Sequence, residues 1–297
     1  MSTEAALVFS TGFQTNLGTI SSLVGRKNYV ICDKFNHASI YDGARLAFGE
    51  HVRYEHNNID DLRKKLESLP PDSDKLLVVD GICSMEGDIA KLPEIAALAE
   101  EFNVEIMVDD AHSIGVLGPK GEGTAAHFGL QDKVAMTMGT FSKSMASLGG
   151  FLAGSADVIE YLKHHSRALI FSASPSPANA AAAREALKII IEEPQRREKL
   201  WWNTRMMLNE FQNMGYDTGV AETPIIPLHV GEMQTAFVMC KRLEEEGVFI
   251  NPVVPPATPP GDCLIRVSFM ATHTEDDLNF ALDVFRKVGI ELGIILG

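Results

Sequence analysis

Four short β-rich runs, Tyr29–Cys32, Lys75–Asp80, Val104–Asp109 and Val134–Met138, each end in small or polar residues and lead into helix-like segments. This alternation restricts the fold more than any other feature, because strands joined by crossover helices pair in parallel and need helices over both faces. The segment Pro93–Phe102, PEIAALAEEF, has the apolar spacing of such a crossover helix and a proline suited to its first turn. An α/β fold with a mostly parallel sheet and flanking helices is therefore expected. In open sheets of this kind ligands gather at the carboxyl ends of the strands, so chemistry is sought just after each run.

The chain of 297 residues exceeds the usual domain of roughly 100–200 residues, which predicts two domains. An Ala-rich helix begins near Pro175, and after Pro194 a second helix carries Trp201 and Trp202. The division is placed near residue 190, giving a large domain over 1–190 and a smaller α+β domain over 191–297. The smaller one reads as strand Ile225–Val230, helix Thr235–Glu246, strand Val248–Ile250, a proline-rich loop Pro252–Pro260, strand Leu264–Phe269 and a final helix from Glu275. At the other end Leu7–Ser10 runs straight into Thr11-Gly12-Phe13 and a helix, so the chain is expected to start late, with nothing before it to complete the sheet edge.

A net charge of −14 disfavours a nucleic-acid backbone or an anionic membrane surface, both of which select clustered Lys and Arg. Helix N-termini still hold small anions against such a charge. Cys32, Cys83, Cys240 and Cys263 form no CxxC pair and have no histidines at metal-ligand spacing, so neither a metal site nor a disulfide framework is expected. No apolar run approaches the roughly 20 residues of a membrane span, and a cytoplasmic location follows as the expectation.

Lys143 lies just beyond a strand, in Met138-Gly139-Thr140-Phe141-Ser142-Lys143-Ser144. A lysine there is either a surface loop residue or an amine suited to a Schiff base, with Thr140 and Ser142 offering hydroxyls to a phosphate. Asp109, closing VEIMVDD, either pairs with a pyridinium nitrogen or, like its neighbour Asp110, caps the next turn. His112 follows three residues later. Gly12-Phe13 opens a helix whose amides could hold a phosphate, or is an ordinary strand-to-helix turn. His37 in NHAS, Ser84 in SMEGD and Arg266 in LIRVSF stand where a turn or an ion pair is the alternative to a ligand contact.

Taken together and in order, STGF, NHAS, SMEGD, VDDAH, GTFSK and LIRVS resemble the motif series of the α-oxoamine synthases, fold-type I pyridoxal-phosphate enzymes. The resemblance covers nearly the whole chain except a long N-terminal segment of the family, which is absent here. It implies that Lys143 carries pyridoxal 5'-phosphate, that His37 stacks on its ring, that Asp109 holds the ring nitrogen and that His112 contacts the ring hydroxyl. It also implies phosphate contacts from Gly12, Phe13, Thr140 and Ser142, and from Ser172 of a neighbouring subunit in a homodimer with a shared active site. Ser84 is expected near the ring and Arg266 at a substrate carboxylate.

The reaction implied is decarboxylative condensation of an amino acid with an acyl-CoA. Ser142, after Phe141, points within the family to members that use L-serine and a long-chain acyl-CoA such as palmitoyl-CoA. Members that use alanine with pimeloyl-CoA, or glycine with acetyl-CoA, more often carry glycine there and are the alternatives. A noncatalytic homologue that kept the fold is the alternative from another class.

Overall fold

The structure, a computed structural model, describes residues 3–297. It divides into two compact units, one running through residue 83 and resuming over 89–193, the other formed by 84–88 with 194–297.

The first unit is built on a seven-stranded sheet of β1 (Ala5–Phe9), β2 (Tyr29–Asp33), β3 (Glu50–Tyr54), β4 (Lys75–Asp80), β5 (Glu105–Asp109), β6 (Met136–Thr140) and β7 (Gly150–Gly154), in the spatial order β1-β7-β6-β5-β4-β2-β3. Strands β2 to β6 pair in parallel, while β7 runs antiparallel to both β6 and β1. The edge next to β7 is thus filled by β1 itself. Eight helices accompany the sheet: α1 (Gly12–Leu23), α2 (Ala38–Leu46), α3 (Ile59–Glu67), α4 (Leu92–Phe102), α5 (Thr124–Phe128), α6 (Ala156–His165), α7 (Arg167–Ile170) and α8 (Pro177–Glu192).

The period-2 alternation of β4 explains why both faces are covered. Leu77 and Val79 join Ile31, Ile106, Leu92 and Ile95 in one apolar cluster, while Leu76 and Val78 join Ile20, Val30, Met107 and Met138 in the other. Each fully buried Leu, Ile or Val of these layers contributes about 1.5–3 kcal/mol. Helix α4 begins with Pro93 in its first turn and stops at Asn103, which adopts the left-handed conformation that ends helices.

Two helices on the same face, α1 and α2, pack closely because Gly43 has no side chain. A Cβ there would stand 3.0 Å from the Asn16 carbonyl oxygen and 3.1 Å from Ile20 Cβ. This approach brings Asn16 of α1 within reach of Ser39 at the start of α2.

The second unit comprises α9 (Pro194–Met214), β8 (Ile225–Gly231), α10 (Met233–Glu245), β9 (Pro252–Val253), β10 (Cys263–Ser268) and α11 (Glu275–Glu291), the strands forming an antiparallel sheet in the order β8-β10-β9. Residues 84–88, which the sequence leaves in the first domain, group here because Gly87 O accepts from Glu222 N at 3.1 Å and Ser84 O accepts from Arg266 Nε at 2.6 Å. The strand expected at Val248–Ile250 does not form. Val248 N–H instead donates to Leu243 O at 2.8 Å and closes the end of α10, and Phe249 lies exposed. The pairing falls to Pro252–Val253, inside the expected loop, where a proline is tolerated because the strand is at an edge.

Gly43→Val should push α1 and α2 apart and cost about 1–3 kcal/mol, as overpacking typically does. Urea unfolding monitored by circular dichroism measures it; a variant as stable as the parent would show that the approach is not constrained.

Candidate active site

Strand order reverses between β2 and β4, since the chain steps outward from β2 to β3 and then returns to build β4, β5 and β6 on the other side. Crevices at such switch points are where open α/β sheets bind ligands. The loop after β2 leads to His37, β4 ends on Asp80 and β5 ends on Asp109, with Asp80 and Asp109 directly opposite in the ladder.

Asp109 is buried and its carboxylate is held by neutral donors: Oδ2 accepts from Asn16 Nδ2 at 2.6 Å and Oδ1 from Ala111 N at 2.9 Å. Asn16 donates its other amide hydrogen to Ser39 Oγ at 2.9 Å, and Ser39 Oγ lies 2.8 Å from His37 Nδ1. His37 is the N-cap of α2 and its backbone N–H donates to Asp80 Oδ2 at 2.7 Å, which ties the ends of β2 and β4 together. The imidazole is exposed and meets Phe13 edge-on, with centroids 6.5 Å apart.

A second group of donors converges where α1 starts. Thr11 caps the helix by accepting from Gln14 N at 3.1 Å, leaving the first-turn amides of Gly12 and Phe13 as helix-end donors. Gly12 packs against Thr140, where a Cβ would come 2.9 Å from Thr140 Oγ1. Thr140 Oγ1 is 2.9 Å from Ser142 Oγ and donates to Gly149 O at 3.1 Å. Helix N-terminus and hydroxyls therefore form one cradle whose chemistry suits a phosphate.

Lys143 follows on the same loop and is exposed. Its charge is felt at both His37 and Asp80. His37 titrates below the ordinary histidine range, chiefly from desolvation and further from the Lys143 ammonium, with Asp109 opposing. Asp80 is pushed well above the usual carboxylate range by burial and by Asp109, with the His37 N–H and Lys143 pulling the other way. An amine, an imidazole and two carboxylates thus share one electrostatic neighbourhood.

Asp110 takes the other role that the sequence left open. Fully buried, it accepts from Thr124 N at 3.1 and 3.0 Å and from Thr124 Oγ1 at 2.6 Å, so it anchors the first turn of α5. His112 is half-buried in the turn after β5. Ser172 accepts from Gln14 Nε2 of its own chain at 3.1 Å, beside the first turn of α1. Ser84 and Arg266 belong to the second unit, joined there by the Arg266 Nε bond to Ser84 O.

Three residues of this neighbourhood were not singled out from the sequence. Asn16 stands one helical turn after Gly12 and so faces the same way, Ser39 lies within the NHAS motif itself, and Asp80 is a strand-end acid as Asp109 is. The carboxyl-edge rule covers Asp80; the other two depend on how α1 meets α2.

Helices on both faces of a mostly parallel sheet, with a lysine, an aspartate and a cradle suited to a phosphate along its carboxyl edge, mark the class of cofactor-dependent α/β enzymes. The family model for aminotransferases of class I and II matches residues 1–285, and the chain belongs to that family. Serine palmitoyltransferase of Sphingobacterium spiritivorum is 53% identical over 292 residues, 97% of this chain and 73% of that protein. The 8-amino-7-oxononanoate synthase of Symbiobacterium thermophilum is 45% identical over 293 residues, 98% of this chain and 75% of that one. Among solved structures, a lysine-to-alanine variant of serine palmitoyltransferase from S. paucimobilis with bound PLP-myriocin aldimine superposes with a TM-score of 0.96 at 38% identity, covering 99% of this chain and 74% of the other.

Burial raises Asp110 to about 6. An acid whose pKa rises on folding binds more protons in the folded state, so its contribution to stability falls as pH increases from about 4 to about 6. Asp110→Asn, which keeps an acceptor for Thr124 but does not titrate, should gain on the parent by on the order of 1–3 kcal/mol over that interval. Urea titrations of both proteins at pH 4 and pH 7 read the difference, and a constant gap would contradict the assignment.

Proposed function

We propose that this chain condenses L-serine with a long-chain acyl-CoA to 3-ketosphinganine, carbon dioxide and free CoA, the reaction of serine palmitoyltransferase, with pyridoxal 5'-phosphate held on Lys143. The observation that carries this reading is the set of Lys143, His37 and Asp109 around one strand edge beside the Gly12–Thr140–Ser142 cradle, in a chain 53% identical to such an enzyme. The cofactor fits these residues: the cradle offers amide and hydroxyl donors to its phosphate, and the buried Asp109 carboxylate, held by the neutral donors Asn16 Nδ2 and Ala111 N, suits a protonated ring nitrogen. When bound, it supplies a cationic conjugated ring that accepts the electron pair left by the departing α-proton.

Each residue has a separate task. Lys143 would hold the cofactor's aldehyde and, once displaced by the amino acid, would take the α-proton. Asp109 would keep the ring nitrogen protonated from a fixed position, so no reorganisation would be needed as charge develops. With the cofactor bound, His37 would stack on its ring and orient the substrate carboxylate and His112 would contact the ring hydroxyl; the family resemblance assigns Ser84 a place near the ring and Arg266 the substrate carboxylate. Each methylene of the acyl chain removed from water adds about 0.8 kcal/mol, which lets a long tail dominate binding.

The chain is further proposed to act as a homodimer in the cytoplasm, with Ser172 of one copy serving the phosphate in the other. Support comes from α8, a sixteen-residue helix whose one buried residue is Ala183 and which exposes Leu187 and Ile191, with Phe171 77% exposed nearby in sequence. No helix of the described residues is long and apolar enough to cross a membrane. The 45% identity to 8-amino-7-oxononanoate synthase favours alanine and pimeloyl-CoA as the second reading.

Lys143→Ala should lose the yellow absorption of the bound cofactor, and borohydride reduction of the parent should label Lys143; a label on Lys133 or Lys163 would move the site. Asp109→Asn should bind cofactor yet exchange the α-proton of serine roughly 100-fold or more slowly, while Asp110→Asn changes exchange far less, and equal losses would refute the distinction. A panel of serine, alanine and glycine against palmitoyl-, pimeloyl- and acetyl-CoA, followed by CoA release, should single out serine with palmitoyl-CoA. Preference for alanine with pimeloyl-CoA would transfer the assignment to the second reading.

A further inference from the structure

Asn16 is completely buried, and both hydrogens of its amide are committed, one to Asp109 Oδ2 at 2.6 Å and the other to Ser39 Oγ at 2.9 Å. Its Oδ1 is buried with no donor. Turning the amide over would place Oδ1 at 2.6 Å from a carboxylate oxygen, two acceptors in contact, so the orientation is fixed even though it leaves an acceptor unsatisfied. A buried orphan of this kind in a polar network calls for a reason, and the reason lies at the far end of the chain of bonds.

Ser39 Oγ accepts from Asn16 with one lone pair, which holds the hydroxyl in place and favours its proton lying toward His37 Nδ1, 2.8 Å away. The Ser39 backbone N–H points at the same nitrogen from 3.3 Å. Two donors aimed at one ring nitrogen leave it without a proton, and the neutral imidazole then carries its hydrogen on Nε2, the nitrogen turned away from Ser39. Without Asn16 the Ser39 hydroxyl is free to turn its proton elsewhere and to accept from His37 instead.

We propose that Asn16 is a positioning residue of this site: its amide, shared between Asp109 and Ser39, directs the Ser39 hydroxyl proton onto His37 Nδ1 and so fixes His37 as the Nε2–H tautomer. Asp109 directly, and His37 through Ser39, are thereby oriented by one side chain. Nε2–H is the form that donates to a substrate carboxylate, so the inference rests on the function proposed above for what the donor meets. The tautomer itself is a property of the chain without cofactor. Asp109 and Lys143 act electrostatically on this imidazole, while Asp80 accepts from the His37 backbone N–H.

The test uses the full chain, free of cofactor and labelled with 15N-histidine, with the His37 resonances assigned by their loss in His37→Gln. Long-range proton–nitrogen correlations at pH 8 should show Nδ1 unprotonated in the parent and in Ser39→Thr, which restores the hydroxyl. Asn16→Ala and Ser39→Ala should each raise the Nδ1-protonated fraction about fivefold, the effect of losing one hydrogen bond from one side of the equilibrium. Nδ1–H in the parent, or a ratio unchanged in Asn16→Ala, overturns the proposal. If Asn16→Ala does not fold, Asn16→Ser, which lacks the amide, takes its place with the same expected rise and the same refuting result. Borohydride labelling of Lys143 is run in parallel: loss of that label with the tautomer behaving as described would refute the functional reading and leave the Asn16 assignment standing.

Discussion

The carboxylate of Asp109 is the fixed point of this molecule. A charge at the end of a central strand, 3% exposed, needs donors of its own, and it draws them from two directions: the turn that follows β5 and the middle of α1. Helix α1 must therefore lie close against the sheet edge, which in turn sets its N-terminus beside Thr140 and brings α2 near enough for Ser39 to be reached. The glycines at 12 and 43 are what permit those approaches. Side chains at either position would separate elements whose polar groups have been matched to a few tenths of an ångström.

The two acids in succession at the end of β5 illustrate how one step along a chain changes the work of a side chain. Asp109 faces α1 and the switch point, whereas Asp110 turns into Thr124 and serves the fold. Both are buried, and burial raises Asp110 to about 6. Neighbouring carboxylates that differ in partners let one loop supply both scaffold and chemistry.

The layered α/β architecture and the places of Asp109 and Lys143 just after strands were legible in the sequence because they depend on local pattern: apolar alternation, strand-end polarity and a lysine after a strand. Parallel pairing of β2, β4, β5 and β6 follows from that pattern. The edge strands β1 and β3, and β7 beside β1, were less visible, being short, half-buried or glycine-rich. Val248–Ile250 has the apolar content of a strand, but the competing demand of α10 for a closing donor takes Val248, and nothing in the local sequence announces it. Asn16 and Ser39 escaped for a related reason. Their roles exist only once two helices, remote in sequence, have packed, and polar residues inside an amphipathic helix look alike until then. The family resemblance names residues expected to touch the cofactor and says nothing of those that hold them.

The grouping of residues 84–88 with the C-terminal unit carries a consequence for how the polypeptide is made. Ser84 and Gly87 leave the ribosome early, yet the groups that satisfy them, the Arg266 guanidinium and the Glu222 amide, are among the later residues to be synthesised. Translation at about 5–20 residues per second leaves that loop waiting, its carbonyls served by water, while the sheet on either side of it in sequence has already been made. The C-terminal unit is for this reason not a module that could be appended or exchanged intact: part of its structure is stored inside the preceding one, and any gene fusion or recombination event that cuts near residue 193 separates the loop from the residues that complete it.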